Sequence, residues 1–290
     1  MIEVYADGEY CSVKFFGFPG GERNVQITGL AANYRNQEYK DICIIADIES
    51  SDDVMDLFML TDALDRHSNS SVRTGNRHLT MPYLPYARQD RVMQVGEANG
   101  VARFAQLINM MEFKNVMVID PHSDVGPSHI KNLSPVSQAE IISLTLSDFD
   151  YKDVVLCSPD AGALKKIYQF AERVGYYGDI AVGQKHRDIR TGAITGTSFH
   201  GADVDGKTVL IVDDICDGGA TFVHLGKVLK SAGASKVVLA VSHGIFSKGI
   251  DGVFEGAVDE IYTPLPWTKN IEGKNEKGIL KTVDKYSFYQ

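Results

Sequence analysis

No CxxC pair occurs among the four cysteines, at positions 11, 43, 157 and 216, so neither a zinc site nor a redox motif is supported. Cys43 and Cys157 fall in apolar strand-like runs and read as buried free thiols, which suits a reducing compartment. The N-terminus lacks a basic stretch followed by an apolar core, so no secretory signal is expected and the chain is read as cytoplasmic. The longest apolar runs, such as 209–212, are strand-length and far short of a membrane span. Low-complexity segments are absent as well. So are GxxxxGK(S/T), GxGxxG after a strand, GxSxG and HExxH, which removes P-loop phosphotransferases, one class of dinucleotide site, serine hydrolases of the elbow type and zincins. An excess of basic charge is missing too. The net charge of −9 makes a general nucleic-acid binder a poor reading, because counterion release needs clustered Lys and Arg. An anionic substrate must then be held by local backbone amides, a few basic side chains and metal.

What is present is ordinary for a soluble globular protein, with 44% apolar and 23% charged residues. A chain of 290 residues fits two domains of about 140 residues, each able to bury a core without disulfides. Short apolar runs alternate with segments of helical spacing. Strands are expected at 41–46, 78–82, 115–120, 153–158, 207–213 and 236–242. Helices are expected at 52–66, 101–111 and about 220–231, and along the face Leu164, Ile167, Tyr168, Ala171 and Val174, with Gly233 as a stop signal. The strands are continuous apolar runs, which points to parallel sheets covered on both faces. The fold class is therefore α/β, with two doubly wound domains divided near 135–138, giving 1–137 and 138–290. Ligands belong at the carboxyl ends of the strands.

Four segments carry chemistry. In Val209-Leu-Ile-Val-Asp-Asp-Ile-Cys-Asp-Gly-Gly-Ala-Thr221 a buried strand ends in Asp213 and Asp214, and a Gly-containing turn opens a helix. Exposed N–H groups there suit a phosphate, and the carboxylates suit sugar hydroxyls or Mg²⁺. An ordinary strand-to-helix turn with an acidic cap would read the same way. Pro82-Tyr-Leu-Pro-Tyr-Ala-Arg-Gln-Asp-Arg91 follows a strand and could hold a nucleotide by stacking and by Arg–phosphate contacts, or be a solvated turn. Val118-Ile-Asp-Pro-His-Ser123 presents Asp120 and His122 at a strand end, although a lone His is more often structural. Gln184-Lys-His-Arg187 stands at the mouth of a polar loop, 188–192. It fits either a lid that neutralises phosphate or a solvated charge run.

Taken in this order, the four segments resemble the ribose-phosphate pyrophosphokinase family. Phe18-Pro-Gly-Gly-Glu22 resembles its adenine loop, Ser158-Pro-Asp-Ala-Gly162 its Ser-Pro-Asp-x-Gly, and Ser242-His-Gly-Ile-Phe246 its Thr-His-Gly-Ile-Phe, over about residues 2 to 265. Type I phosphoribosyltransferases share only the Asp-Asp loop. The resemblance implies two phosphoribosyltransferase-type domains related by pseudo-symmetry, the first on the ATP side and the second binding ribose phosphate, with the C-terminal tail free to return to the first. It implies ATP as co-substrate, Mg²⁺ as cofactor, a phosphorylated ribose as acceptor, no nucleic-acid or membrane partner, and a homo-oligomer built from dimers up to a hexamer. It assigns ATP binding to Phe18, Glu22, Arg88, Gln89 and Asp90. His122 and Asp160 would bind the metal. Lys185 and Arg187 would be catalytic, and Asp213, Asp214, Asp217, Gly218, Gly219, Ala220 and Thr221 would bind the ribose phosphate.

The chain departs from the family pattern at Gly20, at His186 and in the loop Asp217-Gly-Gly-Ala-Thr221, where a Thr hydroxyl is replaced by Gly218. That loss weakens the grip on a terminal phosphate, and the missing bulk would let a substituent pass out of the pocket. Ribose 5-phosphate, giving phosphoribosyl pyrophosphate and AMP, is the first reading of the acceptor, slightly ahead of the alternative, a 5′-extended ribose, ADP-ribose, giving its 1-pyrophosphate for NAD⁺ resynthesis. A non-catalytic regulatory homologue and a phosphoribosyltransferase are further readings. The retained Lys185, Arg187, His122 and Asp160 argue against the first, and the Tyr-Ala-Arg-Gln-Asp segment against the second. The stretch 270–290 offers no motif.

Overall fold

The computed structural model describes residues 1–29, 38–187, 194–255, 257–267 and 279–282. The chain divides into two compact units, Met1–Val136 and Ser137–Gln290, each with its own sheet. Among the described residues no helix is long and apolar enough to cross a membrane.

The first unit runs β1 (Ile2–Ala6), β2 (Glu9–Cys11), β3 (Val13–Gly17), β4 (Arg23–Ile27), β5 (Asp41–Ala46), α1 (Ser51–Asp65), α2 (Ser70–Thr74), β6 (Asn76–Met81), α3 (Gly100–Met110), β7 (Asn115–Ile119), α4 (Val125–His129) and β8 (Leu133–Val136). Its sheet has the order β2-β1-β5-β6-β7-β8. The four strands from β5 to β8 are parallel, while β1 and β2 pair antiparallel at one edge. The expected parallel sheet is present, and the antiparallel edge adds to it. β1 and β2 are short and only part-buried, so no long apolar run announces them. The hairpin β3–β4 forms a separate two-stranded sheet. A two-pronged ion pair from Arg23 to the buried Asp56 fastens it to α1, with Nε donating to Oδ1 at 2.8 Å.

Helix starts follow local chemistry. Ser50 accepts from the Asp53 amide (3.3 Å), Asn99 from Ala102 (3.1 Å) and Ser137 from Glu140 (3.2 Å). The expected face of the 101–111 helix is confirmed in α3, where Val101, Phe104, Ala105 and Ile108 are buried. Cys43 is corrected from buried to exposed. Successive strand residues face opposite sides, so Cys43 turns away from the core that holds Ile42 and Ile44. Cys157 is buried, and its thiol is pushed up to about 12 by burial, which leaves it unreactive at neutral pH.

The second unit runs α5 (Gln138–Thr145), β9 (Val154–Ser158), α6 (Leu164–Val174), β10 (Ile180–Arg187), β11 (Ile194–His200), β12 (Thr208–Cys216), α7 (Ala220–Ser231), β13 (Lys236–Gly244), α8 (Asp251–Phe254), β14 (Glu260–Tyr262), β15 (Leu265–Pro266) and β16 (Ile279–Lys281). The sheet order is β11-β10-β9-β12-β13-β14-β16, with β15 on the end of β13. All pairs are parallel except β10–β11. Every residue of β9, and all of β13 after Lys236, is buried, as expected for central strands covered on both faces. The expected helix at 220–231 is α7, bound for bound.

Gly183 on β10 is needed for close approach rather than for an unusual φ. A Cβ there would lie 2.5 Å from the Pro159 carbonyl oxygen, a backbone atom that cannot step aside. Gly183→Ala should therefore destabilise the protein by about 1–3 kcal/mol through overpacking. Urea unfolding will read this as a lower midpoint with the slope retained. An unchanged midpoint would mean that the two segments are not tightly apposed.

Candidate active site

In the second unit the chemistry collects where β9, β10 and β12 reach their carboxyl ends. Ser158 closes β9 and donates to the Asp160 carbonyl at 2.7 Å. The Asp160 carboxylate then accepts from the Gly162 amide at 3.0 Å and from Lys185 Nζ at 3.3 Å. Lys185 is placed by β10, where it pairs in register with Thr197. The basic residues end β10 in an antiparallel ribbon, directly before the expected loop. The expected lid at 188–192 and the side chain of Arg187 lie outside the described residues.

Asp213 and Asp214 are adjacent residues near the end of β12. Asp214 is buried, and Lys166 on α6 donates to it at 3.2 Å. Asp213 accepts from the Asp214 amide at 2.9 Å. Burial first, and then the charge of Asp214, push the Asp213 carboxyl well above the ordinary carboxylate range. Carboxylates held this way accept hydrogen bonds strongly from any hydroxyl that reaches them, and perturbed carboxyls in such a setting mark functional sites.

The turn after β12 is built for an anion. Gly219 takes φ +74 and stands at the N-cap of α7, and an added Cβ would meet Val253 Cγ2 at 2.6 Å. Only glycine fits both conditions. Where α1, α3 and α5 begin with a side-chain cap, α7 begins without one, so its first amides remain for a ligand. Asp217 accepts from the Ser247 hydroxyl. Gly218 has one neighbour in packing contact. A Cβ there would lie 3.4 Å from Cδ of Lys248, whose chain runs over it.

In the first unit the loop 82–91 and the loop 120–123 meet after β6 and β7. Ile119 donates to the Pro82 carbonyl at 3.2 Å, and Ser123 Oγ donates to Asp90 at 2.9 Å. The Ser123 hydroxyl, followed by Arg91 and His122, holds the Asp90 carboxyl below its usual range. Gln89 reaches the start of α3, where a Cβ on Gly100 would lie 2.4 Å from its Oε1. His122 has φ +64 and Asp120 φ +39, so both sit in left-handed backbone that few residue types favour. Arg88, Gln89, Asp90 and His122 are thus brought to one group of loops. Phe18 and Glu22 lie in the turn of the β3–β4 hairpin, closed by Phe18 N–H to Glu22 O at 2.8 Å. Phe18 is half exposed and packs edge-on against Phe16 at 5.5 Å. Sequence reasoning missed Lys166, Ser123, Ser247 and Lys248. Lys166 comes from a helix outside the four segments, while Ser123, Ser247 and Lys248 lie in or just after recognised motifs without a role of their own.

Two family models match the chain: the N-terminal domain of ribose phosphate pyrophosphokinase over residues 2–111, and the phosphoribosyl transferase domain over residues 136–260. The ribose-phosphate pyrophosphokinase of Marinomonas sp. is 31% identical over 233 residues, covering 78% of this chain and 71% of that protein. That of Mycoplasmopsis pulmonis is 31% identical over 228 residues, covering 77% and 68%. This chain belongs to the ribose-phosphate pyrophosphokinase family. It is accordingly an enzyme, a transferase of that type. The solved phosphoribosylpyrophosphate synthetase from Mycobacterium smegmatis matches with a TM-score of 0.74 at 20% identity, covering 96% of this chain and 87% of that one, and shares the two-domain phosphoribosyltransferase-type fold.

The buried carboxylate pair has a measurable cost. A carboxyl whose value is raised on folding binds its proton more tightly in the folded state. Its contribution is therefore most favourable at low pH and is lost as pH rises from the unfolded value through the folded one. Asp213→Asn should raise the melting temperature of the ligand-free protein at neutral pH by about 2–4 °C, the effect of about 1 kcal/mol on a domain of this size. The gain should shrink as pH falls toward 4. Melting curves across pH decide the point, and a variant less stable than wild type at neutral pH would contradict the assignment.

Proposed function

We propose that the protein transfers the β,γ-pyrophosphoryl group of ATP to the anomeric hydroxyl of ribose 5-phosphate, giving phosphoribosyl pyrophosphate and AMP. The observation that carries this reading is the junction of β12 and α7. It sets a carboxylate pair, suited to vicinal sugar hydroxyls, beside an uncapped helix start suited to a phosphate. Asp213 and Asp214 accept from the ribose hydroxyls, and the amides of 218–221 with the Thr221 hydroxyl hold the 5-phosphate. Arg88, Gln89 and Asp90 hold ATP, with Phe18 and Glu22 at the adenine.

The anomeric oxygen attacks the β-phosphorus, its bond to that phosphorus forms, and the bond from the β-phosphorus to the oxygen of the AMP portion breaks. Positioning and charge neutralisation carry this step. Lys185 and Arg187 meet the charge that grows on the transferring group. In the ligand-free protein Lys185 is held by Asp160, so its charge is already inside the site. The donor set fits Mg²⁺, which takes few protein ligands and keeps several waters and phosphate oxygens. Each Asp160 oxygen has lone-pair capacity beyond its one hydrogen bond. Asp160 is the residue of the second unit that would hold the ion, and the ion would screen the triphosphate charge. The relatives named ribose-phosphate pyrophosphokinase favour ribose 5-phosphate over the 5′-extended ADP-ribose.

With saturating MgATP, AMP formation should show a higher kcat/KM for ribose 5-phosphate than for ADP-ribose. A preference for ADP-ribose would overturn the acceptor assignment. Lys185→Ala and Arg187→Ala should each lose most turnover, by about 3–4 kcal/mol of barrier, while ATP affinity changes little. Near-normal turnover in either variant would remove that residue from the step.

A further inference from the structure

Lys248 belongs to no motif used above, yet its position is closely determined. Ile245 and Phe246 both donate to the Cys216 carbonyl, at 2.9 and 3.1 Å, which ties the end of β13 to the end of β12. The chain then turns back on itself. Gly249 N–H donates to Phe246 O at 2.7 Å, with Phe246 at φ +49 and Gly249 at φ +79. Ser247 and Lys248 are the two corner residues of this turn. Both meet the loop after β12: Ser247 donates to Asp217, and Lys248 lies along Gly218.

The Lys248 contact is made by the aliphatic chain. From the position of a Cβ on Gly218, Cδ is at 3.4 Å, Cε at 3.5 Å and Cγ at 3.8 Å. These are ordinary packing distances, so the lysine chain lies in contact with the position that a side chain at 218 would take. The ammonium is one bond beyond Cε. Lys248 is exposed and has no ion-pair partner among the described residues. Gly218 itself has no left-handed φ, and a Cβ there would meet only ordinary packing contact with Lys248.

We propose that Lys248 is a specificity-determining residue that binds the 5-phosphoryl oxygens of the ribose acceptor, doing with an ammonium what a hydroxyl at position 218 would otherwise do. The inference rests on the acceptor-loop assignment under Proposed function. A lysine suits the task because its compact charge on a flexible stem follows a phosphate without fixed geometry. The shared chemistry is a phosphoryl group on C5 of ribose, whether a monoester or the near half of a diphosphate.

The test measures KM and kcat with saturating MgATP for ribose 5-phosphate, ADP-ribose and unphosphorylated ribose, together with calorimetric affinity for ribose 5-phosphate. Lys248→Met should raise KM for the preferred 5-phosphorylated acceptor about ten- to a hundredfold, the range for a lost hydrogen bond to a charged group. The loss should fall on KM rather than kcat, and unphosphorylated ribose should be unaffected. Lys248→Arg should keep most of the affinity, and adding Gly218→Thr to Lys248→Met should recover part of it. Unchanged KM in Lys248→Met, or an equal loss toward unphosphorylated ribose, overturns the role. If wild type forms AMP with none of the acceptors, the transfer assignment fails separately. Calorimetry then still decides Lys248, because equal affinity of wild type and Lys248→Met for ribose 5-phosphate overturns its role.

Discussion

Two neighbouring carboxylates sit at the buried end of a central strand, and much of the second unit is arranged around that constraint. Asp213 and Asp214 cannot both be charged in that place without support. Lys166 on α6 supplies a cation to Asp214, and the Asp214 amide supplies a donor to Asp213. Asp160 brings a third carboxylate near, and Lys185 is drawn to it from β10. The close contact of Gly183 with Pro159 holds β10 near the Ser-Pro-Asp turn. A fold does not keep such an arrangement for stability. Under the proposed function, the hydroxyls of a phosphorylated sugar would satisfy the carboxylates and its phosphate would take the open start of α7.

The first unit solves a different problem. Its loops after β6 and β7 are joined by the Ser123–Asp90 hydrogen bond and by strained backbone at Asp120 and His122. The hairpin that carries Phe18 and Glu22 depends on the Arg23–Asp56 pair. Phe18 leaves much of its ring in solvent.

Much of this was legible in the sequence where a single physical signal was strong. Continuous apolar runs marked β9, β12 and β13, and the Gly-Gly step before a helical pattern marked the start of α7. The hairpin and the antiparallel edge were not legible, because strands of three to five half-exposed residues carry neither a long run nor a clear alternation. Cys43 was misjudged because an apolar neighbourhood in sequence does not say which face a residue takes. Lys248 was invisible for a further reason. It reaches Gly218 only through a turn some thirty residues later in the chain, and no local pattern records that meeting.

The central claim is that the carboxylate pair and the loop beside it form the binding site for a phosphorylated ribose. Calorimetric titration of ribose 5-phosphate into the ATP-free protein, with wild type and Asp214→Asn side by side, tests it most directly. The account predicts saturable binding to wild type and an affinity about tenfold or more weaker in the variant, as expected for a lost charge-assisted hydrogen bond. Equal affinity in the two proteins would contradict it.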